Sequence, residues 1–285
     1  MVILVRALLL TSCFIPFSGM ENSLYRGEGV LVSKLSYGLR MPFPSWLGYY
    51  RWGEMKVQRG DIVVFNNPMP HEAQQLLEHR EVYISRCIAL PGDTMRLNCE
   101  LVSDDEVFSP DSKSLYTYPS QQEDRMLSVL EGLGIRDNML TGFTVDGKYI
   151  RRFSNYEYYL LTQRIGQDFD IVPLSNRLPK KSNLFVVPSK GKQVSITPWN
   201  IKLMCNTIAC HENKSAIVKN DTLYVDGQYM KEYTFTRDYY WMRANDPMNL
   251  NDSRLFGFVP DSHIIGKAVR IWYPSERSRF MKKVE

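Results

Sequence analysis

The chain has 285 residues, of which 44% are hydrophobic and 23% are charged, and its formal net charge is +4. These values exclude a disordered protein and are typical of one or two domains with a buried core. The 35 basic residues are scattered among 31 acidic ones, which disfavours a nucleic-acid-binding surface. The sequence therefore predicts a folded protein with no nucleic-acid partner.

The chain begins with an apolar segment, MVILVRALLLTSCFI, that is interrupted by Arg6. This segment is about 15 residues long, whereas a helix needs roughly 20 residues to cross a bilayer. Its basic residue follows the first apolar residues instead of preceding them, unlike that of a cleavable signal peptide. We therefore expect residues 1–16 to be a truncated membrane-proximal segment, with an upstream extension that supplies a complete membrane helix.

Short runs rich in Val, Ile and aromatic residues predict β-strands in both halves of the chain. In the first half these runs are VLVSKL, DIVVF, VYISRCIAL and TMRLNCELV. In the second half, LYVDGQYM predicts a hairpin closed by Asp226 and Gly227, and HIIGKAVRIWY predicts a long strand. The sequence therefore predicts a mainly β fold.

The composition changes between residues 103 and 183. An acidic stretch there precedes two segments with helical spacing, QEDRMLSVLEGLGI and SNYEYYLLTQRIG. We therefore expect an inserted α+β segment, residues 103–183, within a β core formed by residues 17–102 and 184–285.

The cysteines give no sign of a metal site or a cofactor. Cys205 and Cys210, with His211, offer metal-binding side chains, but their segment TPWNIKLMCNTIACHE predicts a helix capped at Thr197. Two thiols five residues apart point in different directions on a helix. Buried cysteines are therefore favoured over a zinc site, and we expect no metal and no cofactor.

Four separated stretches resemble the successive sequence boxes of type I signal peptidases. They are FIPFSGMENSLYRGEGVLVSKLSYGLRMPF, QRGDIVVF, VYISRCIALPGDT and NDSRLFGFVPDSHIIGKAVRIWY. They follow the family's order, cover most of residues 6–103 and 184–273, and leave the insertion where the family carries one. The resemblance implies a membrane-anchored, antiparallel β-barrel-like fold, a Ser/Lys dyad, and removal of signal peptides from exported preproteins.

The residues that match the family's dyad lack its chemistry. The nucleophile is the Ser directly before the Met of the first box, and the matching residue is Gly19. The general base is the Lys directly before the Arg of the third box, and the matching residue is Ser85. Because a serine nucleophile needs a base, and a lysine base needs a lowered pKa, the dyad requires both side chains. The chain therefore resembles a catalytically degenerate member of the family.

The residues around the dyad have changed as well. The resemblance places the family's oxyanion donor at Phe17 and the hydroxyl that contacts the lysine at Leu250. The chain keeps three of the family's residues, to which we assign structural roles: Arg86, Asp252 and Arg254. In a serine protease, loss of the nucleophile or base lowers turnover about 10⁶-fold.

Other side chains offer alternative nucleophiles or bases. Ser18 and Ser23 lie near the vacated nucleophile position, but a neighbouring hydroxyl such as that of Ser85 is too weak a base for either. None of the four histidines falls at the base position; they are His71, His79, His211 and His263. A lysine from elsewhere, such as Lys34, is a further candidate for the base.

We predict a signal peptidase-like protein that lacks the family's activity and retains its peptide groove. Main-chain pairing of an extended peptide with a strand edge needs no dyad. Residues 17–24 and 82–86 would line the groove, and its predicted contact residues are Ser18, Met20, Tyr83 and Ile84.

The predicted partners are signal peptides or exported preproteins, a lipid bilayer, and an active signal peptidase. The bulk of the chain would lie on the extracytoplasmic face of the membrane. Two alternatives stay open at this point: an active serine endopeptidase with an unusual dyad, and a structural envelope protein without affinity for peptides.

Overall fold

The protein, described by a computed structural model over residues 9–41, 46, 48–69, 75–97, 109–135, 138–166, 168–177 and 183–284, has a mainly β fold, as predicted. Its largest element is an antiparallel sheet of seven strands. In order across the sheet these are β1 (Leu10–Phe14), β2 (Gly29–Ser33), β20 (Ile264–Tyr273), β5 (Ile62–Asn66), β6 (Val82–Ala89), β18 (Tyr239–Arg243) and β19 (Val259–Pro260). Because β20 lies between β2 and β5, the two ends of the chain form one sheet.

The central strands are apolar on both faces because both faces are covered. Every residue of β5 is buried. Val63 and Phe65 pack into a cluster on one face, and Ile62 packs into a second cluster on the other. This continuous burial explains why the β5 sequence, IVVFN, lacks the alternation expected of a half-exposed strand.

Smaller sheets surround the seven-stranded one. Their strands are β3 (Leu39–Arg40) with β4 (Arg51–Trp52), β7 (Thr94–Leu97) with β12 (Asn183–Val186), β13 (Gln193–Ser195) with β17 (Glu232–Thr234), and a meander of β14 (Ala216–Lys219), β15 (Thr222–Val225) and β16 (Gln228–Met230). The predicted hairpin is confirmed between β15 and β16. Its turn residues Asp226 and Gly227 have φ angles of 49° and 81°, as a two-residue turn of this kind requires.

The segment between residues 113 and 173 has its own sheet and core. Its elements are β8 (Lys113–Tyr118), α1 (Glu123–Leu133), β9 (Gly142–Phe143), β10 (Tyr149–Ser154), α2 (Asn155–Ile165) and β11 (Val172–Pro173), with the strands in the order β11-β8-β10-β9. Both helices lie within segments that the sequence predicts to be helical. The Ser154 side chain and the Glu157 side chain cap the start of α2 reciprocally. The predicted boundaries of the insertion remain a prediction, since they adjoin residues 98–108 and 178–182, which lie outside the described residues.

The two remaining helices are α3 (Ile201–His211) and α4 (Ser253–Phe256). The prediction that Thr197 caps α3 is wrong, because the helix begins four residues later. Thr197 instead exchanges hydrogen bonds with Asn200, whose side chain accepts from the Thr197 N–H. On α3, Cys205 is buried and Cys210 is exposed. In the described part of the chain, no group of three or more metal-binding side chains is arranged to hold a metal ion.

The apolar N-terminal segment is only partly described. Its residues 10–14 form β1 at the edge of the large sheet, whereas Arg6 lies outside the described residues. Within the described ranges, no helix combines the length and the apolar character that a bilayer crossing needs.

Candidate functional site

A cleft opens where β6 extends beyond its neighbour β18. On one side, β5 pairs with β6 from Val82 to Arg86. On the other side, β18 ends with Arg243 opposite Arg86, so that residues 82–85 have an open edge. The residues that line the cleft come from the turn after β1, from β6 and from the loop between β18 and α4; they are Ile15, Pro16, Phe17, Gly19, Met20, Val82, Tyr83, Ile84, Ala244, Asn249 and Asn251.

The main chain of β6 offers hydrogen-bonding groups to this cleft. In an antiparallel pair, alternate residues direct their N–H and C=O groups to the partner strand. The N–H of Asn67 donates to the Glu81 carbonyl, and the N–H of Cys87 donates to the Asp61 carbonyl, so the odd-numbered residues of β6 face β5. The N–H and C=O groups of Val82 and Ile84 therefore point away from β5, into the cleft.

Gly19 lies in the wall of the cleft, in a short 3-10 turn of residues 18–20. It is buried, and its carbonyl accepts a hydrogen bond from the N–H of Asp246 at 3.0 Å. A Cβ atom at this position would lie 2.5 Å from Asn249 Nδ2 and 2.8 Å from Asn249 Cγ. The space that a residue-19 side chain would need is therefore filled by the side chain of Asn249.

Ser85 lies at the inner end of the open edge and is completely buried. Its hydroxyl donates to the main-chain carbonyl of Asn251 across 3.4 Å. Gly19 and Ser85 thus both adjoin the same short loop, Gly19 at Asn249 and Ser85 at Asn251. That loop therefore lies next to both positions that the sequence aligns with the family's dyad, residues 19 and 85.

The predicted groove residues divide into two groups. Met20, Tyr83 and Ile84 line the cleft, whereas Ser18 is not among its lining residues. Burial and a hydrogen bond to Glu81 raise the pKa of Tyr83 to about 12, so its phenol stays protonated at neutral pH. Phe17 lies at the rim with 56% of its surface exposed.

The expected contact between Leu250 and Ser85 is not found. Leu250 is 52% exposed and is absent from the lining of the cleft. Its neighbours Asn249 and Asn251 line the cleft instead. Neither asparagine is predicted from the sequence, because the pattern Asn-Leu-Asn does not indicate which of the three side chains faces inward.

The loop that carries these asparagines is held by Arg254. Its guanidinium donates to the carbonyls of Pro247 and Asn249, both at 2.6 Å, and to both carboxylate oxygens of Asp252. Asp252 in turn accepts from the N–H of Ala244 at 2.9 Å. Asp252 is fully buried. Through these hydrogen bonds, the Asp252–Arg254 ion pair holds the loop at Ala244 and at residues 247–249.

Arg86, on β6, connects the large sheet to the segment that follows the turn of residues 18–20. It donates to the Gly60 carbonyl at 2.8 Å and to the Ser23 hydroxyl at 2.8 Å. Burial lowers the pKa of Arg86. Ser23 in turn donates to Asp111 at 2.5 Å and accepts from the Asn245 side chain at 3.0 Å. These bonds connect Arg86 to Gly60 and Ser23, and they engage the Ser23 hydroxyl.

The segment between residues 113 and 173 also contacts the cleft region. Lys113 forms an ion pair with Glu21 at 2.8 Å, and both side chains are more than nine-tenths buried. The main-chain N–H of Lys113 donates to the Asn245 carbonyl, and Arg152 pairs with Asp246. This segment therefore supports the turn that carries Gly19 and the loop that carries Asn249.

None of the alternative nucleophiles or bases reaches the cleft in the described part of the chain. Ser18, Ser23 and Lys34 are absent from its lining, as are the described histidines. His211 and His263 instead form a buried pair with ring centroids 5.2 Å apart, and burial lowers the pKa of His211 to about 3. His71 lies outside the described residues.

The buried ion pair between Lys113 and Glu21 predicts a large effect of substitution. We expect Lys113→Met to lower the free energy of unfolding by about 3–5 kcal/mol, because it leaves the Glu21 carboxylate buried and unpaired. Adding Glu21→Leu should recover most of this loss. The matched control is Lys214→Met, which breaks a half-exposed pair with Asp226 and should cost less than about 1 kcal/mol. Urea denaturation measures all three, and equal losses for the two single variants would contradict this assignment.

Comparisons with known proteins agree with the resemblance found in the sequence. A family described as "Signal peptidase, peptidase S26" matches residues 1–140. Signal peptidase I of Buchnera aphidicola subsp. Baizongia pistaciae is 24% identical over 95% of this chain and 72% of its own length. Signal peptidase I of Aquifex aeolicus is 22% identical over 95% of this chain and 79% of its own length. That of Pseudomonas aeruginosa is 33% identical over 35% of this chain and 31% of its own length. In sequence, the chain is therefore similar to the type I signal peptidases.

Proposed function

We propose that this protein binds the signal-peptide region of exported preproteins in the cleft and does not cleave it. The family is one of signal-peptide processing, which gives the class of ligand. The observation that carries the proposal is the lining of the cleft. It combines an open strand edge with a set of described side chains that includes no serine, threonine, cysteine, lysine or histidine.

The open edge of β6 supports binding of an extended peptide. A peptide laid beside Val82–Ser85 would add a strand to the sheet, with the main-chain groups of Val82 and Ile84 as its partners. The opposite wall is formed by Phe17, Gly19 and Met20, so the peptide would run between this turn and β6. Such pairing uses only main-chain atoms and is independent of the residues at positions 19 and 85.

The environment of the vacated dyad supports the absence of cleavage. Gly19 provides no atom for attack on a carbonyl, and Asn249 occupies the space of a residue-19 side chain. Ser85 is buried and its hydroxyl donates to the Asn251 carbonyl, and a hydroxyl is too weak a base to take the proton of a nucleophile. An enzyme with an unusual dyad would need a nucleophile and a base from outside the lining described above.

Exposed aromatic side chains on β1, on β20 and in the turn after β1 support a location at a membrane surface. Phe14, Phe17 and Tyr273 are each more than half exposed, and the rings of Phe14 and Tyr273 are 5.9 Å apart in an edge-to-face arrangement. Exposed aromatic side chains are enriched where proteins meet the interface between membrane and water. We place the bulk of the chain on the extracytoplasmic face, where an active signal peptidase would share its ligands.

The membrane proposal predicts vesicle binding that depends on these rings. We expect the full chain to float with phospholipid vesicles, and Phe14→Ser with Tyr273→Ser to weaken the association at least tenfold, since each buried ring contributes about 1.5–3 kcal/mol. The control is Tyr156→Ser, which removes an equally exposed ring from α2. Flotation that is unchanged by the double substitution, or reduced as much by the control, would refute this role of Phe14 and Tyr273.

Strand addition predicts a period of two in the ligand. A labelled signal peptide with small residues at its cleavage site should bind the protein, as measured by fluorescence anisotropy. N-methylation should weaken binding about fivefold at the two amides that pair with Val82 and Ile84, because each loses a hydrogen bond of about 1 kcal/mol. Methylation of the amide between them should cost less. No binding by the unmodified peptide, or the same cost at every amide, would contradict the proposal.

Replacement of the dyad residues predicts a return of cleavage that depends on Asn249. Gly19→Ser with Ser85→Lys restores a hydroxyl and an amine whose pKa burial should lower. Because Asn249 fills the space beside residue 19, we expect substantial cleavage only when Asn249→Ala is added. Turnover should rise between about pH 7 and pH 9, as the introduced lysine becomes neutral.

The recovered activity should be partial, because Phe17 supplies no oxyanion donor. Adding Phe17→Ser should raise turnover by up to about 10²–10³, the typical contribution of one such donor. The matched control carries Ser85→Met in place of Ser85→Lys and should be inactive. A folded variant that binds the peptide but never cleaves it would show that the dyad positions have been assigned wrongly.

A further inference from the structure

The side chain of Asn249 has one end fixed and the other end free. Its Oδ1 accepts a hydrogen bond from the N–H of Asn251 at 2.9 Å. An amide carries its acceptor and its donor on opposite branches, so this bond turns Nδ2 toward Gly19. Nδ2 forms no hydrogen bond within the described part of the chain, and Asn249 is only partly buried. The cleft therefore contains an oriented donor without a partner.

The position of this donor is set by the main chain on both sides. The N–H of Asn249 donates to the Asp246 carbonyl at 3.2 Å, and its carbonyl accepts from Arg254 at 2.6 Å. Asp246 in turn donates its N–H to the Gly19 carbonyl. The loop and the turn of Gly19 are thus joined directly, and the main chain that carries the Asn249 side chain is held beside the cleft.

We propose that Asn249 is a ligand-binding residue whose Nδ2 donates to a main-chain carbonyl of the bound peptide. This inference rests on the proposed function, in which an extended peptide passes between β6 and Gly19. Such a peptide brings its carbonyls past the residue-19 position, where Nδ2 lies. Since the donor is already oriented, binding requires little further ordering of the side chain.

The same geometry assigns a reason for glycine at position 19. A Cβ there would fall 2.5 Å from Nδ2, so a side chain at residue 19 would require the Asn249 side chain to move from this position. Gly19 and Asn249 therefore act as a pair: the missing side chain creates the room, and the asparagine uses it to hold the peptide.

Near-isosteric substitutions test the donor. We expect Asn249→Asp, which retains Oδ1 and removes the N–H groups, to weaken binding of the labelled signal peptide roughly tenfold. Asn249→Leu should weaken it about fivefold, the effect of one lost hydrogen bond. The matched control is Met248→Ala, which truncates an exposed neighbour on the same loop and should bind like the wild type. Thermal unfolding of each variant establishes that it is folded.

A change in the ligand tests the same contact without altering the fold of the protein. Replacing one peptide carbonyl with a thiocarbonyl weakens it as an acceptor. Besides the carbonyls that pair with Val82 and Ile84, a scan along the peptide should reveal one further position that weakens binding to the wild type. At that position, the thiocarbonyl should have no effect on binding to Asn249→Leu.

The outcomes separate the two proposals. If the wild type binds no signal peptide, the proposed function fails. If the wild type binds the peptide and both Asn249 variants bind it equally well, or if no thiocarbonyl position couples to Asn249, only this inference fails.

Discussion

The ion pair between Arg254 and Asp252 is the interaction on which the cleft depends. A buried carboxylate is stable only when it is paired, and Asp252 has no exposed surface. Arg254 neutralises it and uses its remaining N–H groups to hold the carbonyls of Pro247 and Asn249. The pair therefore sets the path of the loop, and the loop determines which side chains face Gly19 and Ser85.

The sheet and the loop contribute different parts of the site. The sheet supplies the open edge, because β6 extends past the end of β18. The loop supplies the groups next to positions 19 and 85, with Asn249 beside Gly19 and the Asn251 carbonyl bonded to Ser85. The segment between residues 113 and 173 braces both through the Lys113 and Arg152 ion pairs. The residues that support the cleft are therefore distinct from Gly19 and Ser85, the residues that the sequence aligns with the family's dyad.

The strands could be predicted from the sequence because their burial follows directly from residue type. The run Ile62–Asn66 is buried throughout, and its four consecutive apolar residues are enough to predict that burial. Gly19 and Ser85 could be singled out because motifs flank each of them closely in the chain. The residues that surround Gly19 and Ser85 in space could not be predicted, because they come from parts of the chain more than 60 positions away, as Asn249 does beside Gly19.

Two errors have the same physical origin. Leu250 was expected to face Ser85, but in a loop no periodicity determines which of three consecutive side chains points inward. Thr197 was expected to cap α3, but its exchange of hydrogen bonds with Asn200 forms a separate turn before the helix. In both cases local hydrogen bonds, and not hydrophobic pattern, decided the structure.

The central claim is that the cleft holds an extended peptide without cleaving it. Photo-cross-linking tests this claim most directly, with a signal peptide that carries a photoreactive residue next to its cleavage site and is incubated with the full chain for hours before irradiation. Mass spectrometry of the adduct then reports both the site of attachment and the length of the peptide. The account predicts a full-length peptide joined to residues 82–84 or to the loop at residues 249–251. A shortened peptide, or attachment confined to surfaces away from the cleft, would contradict it.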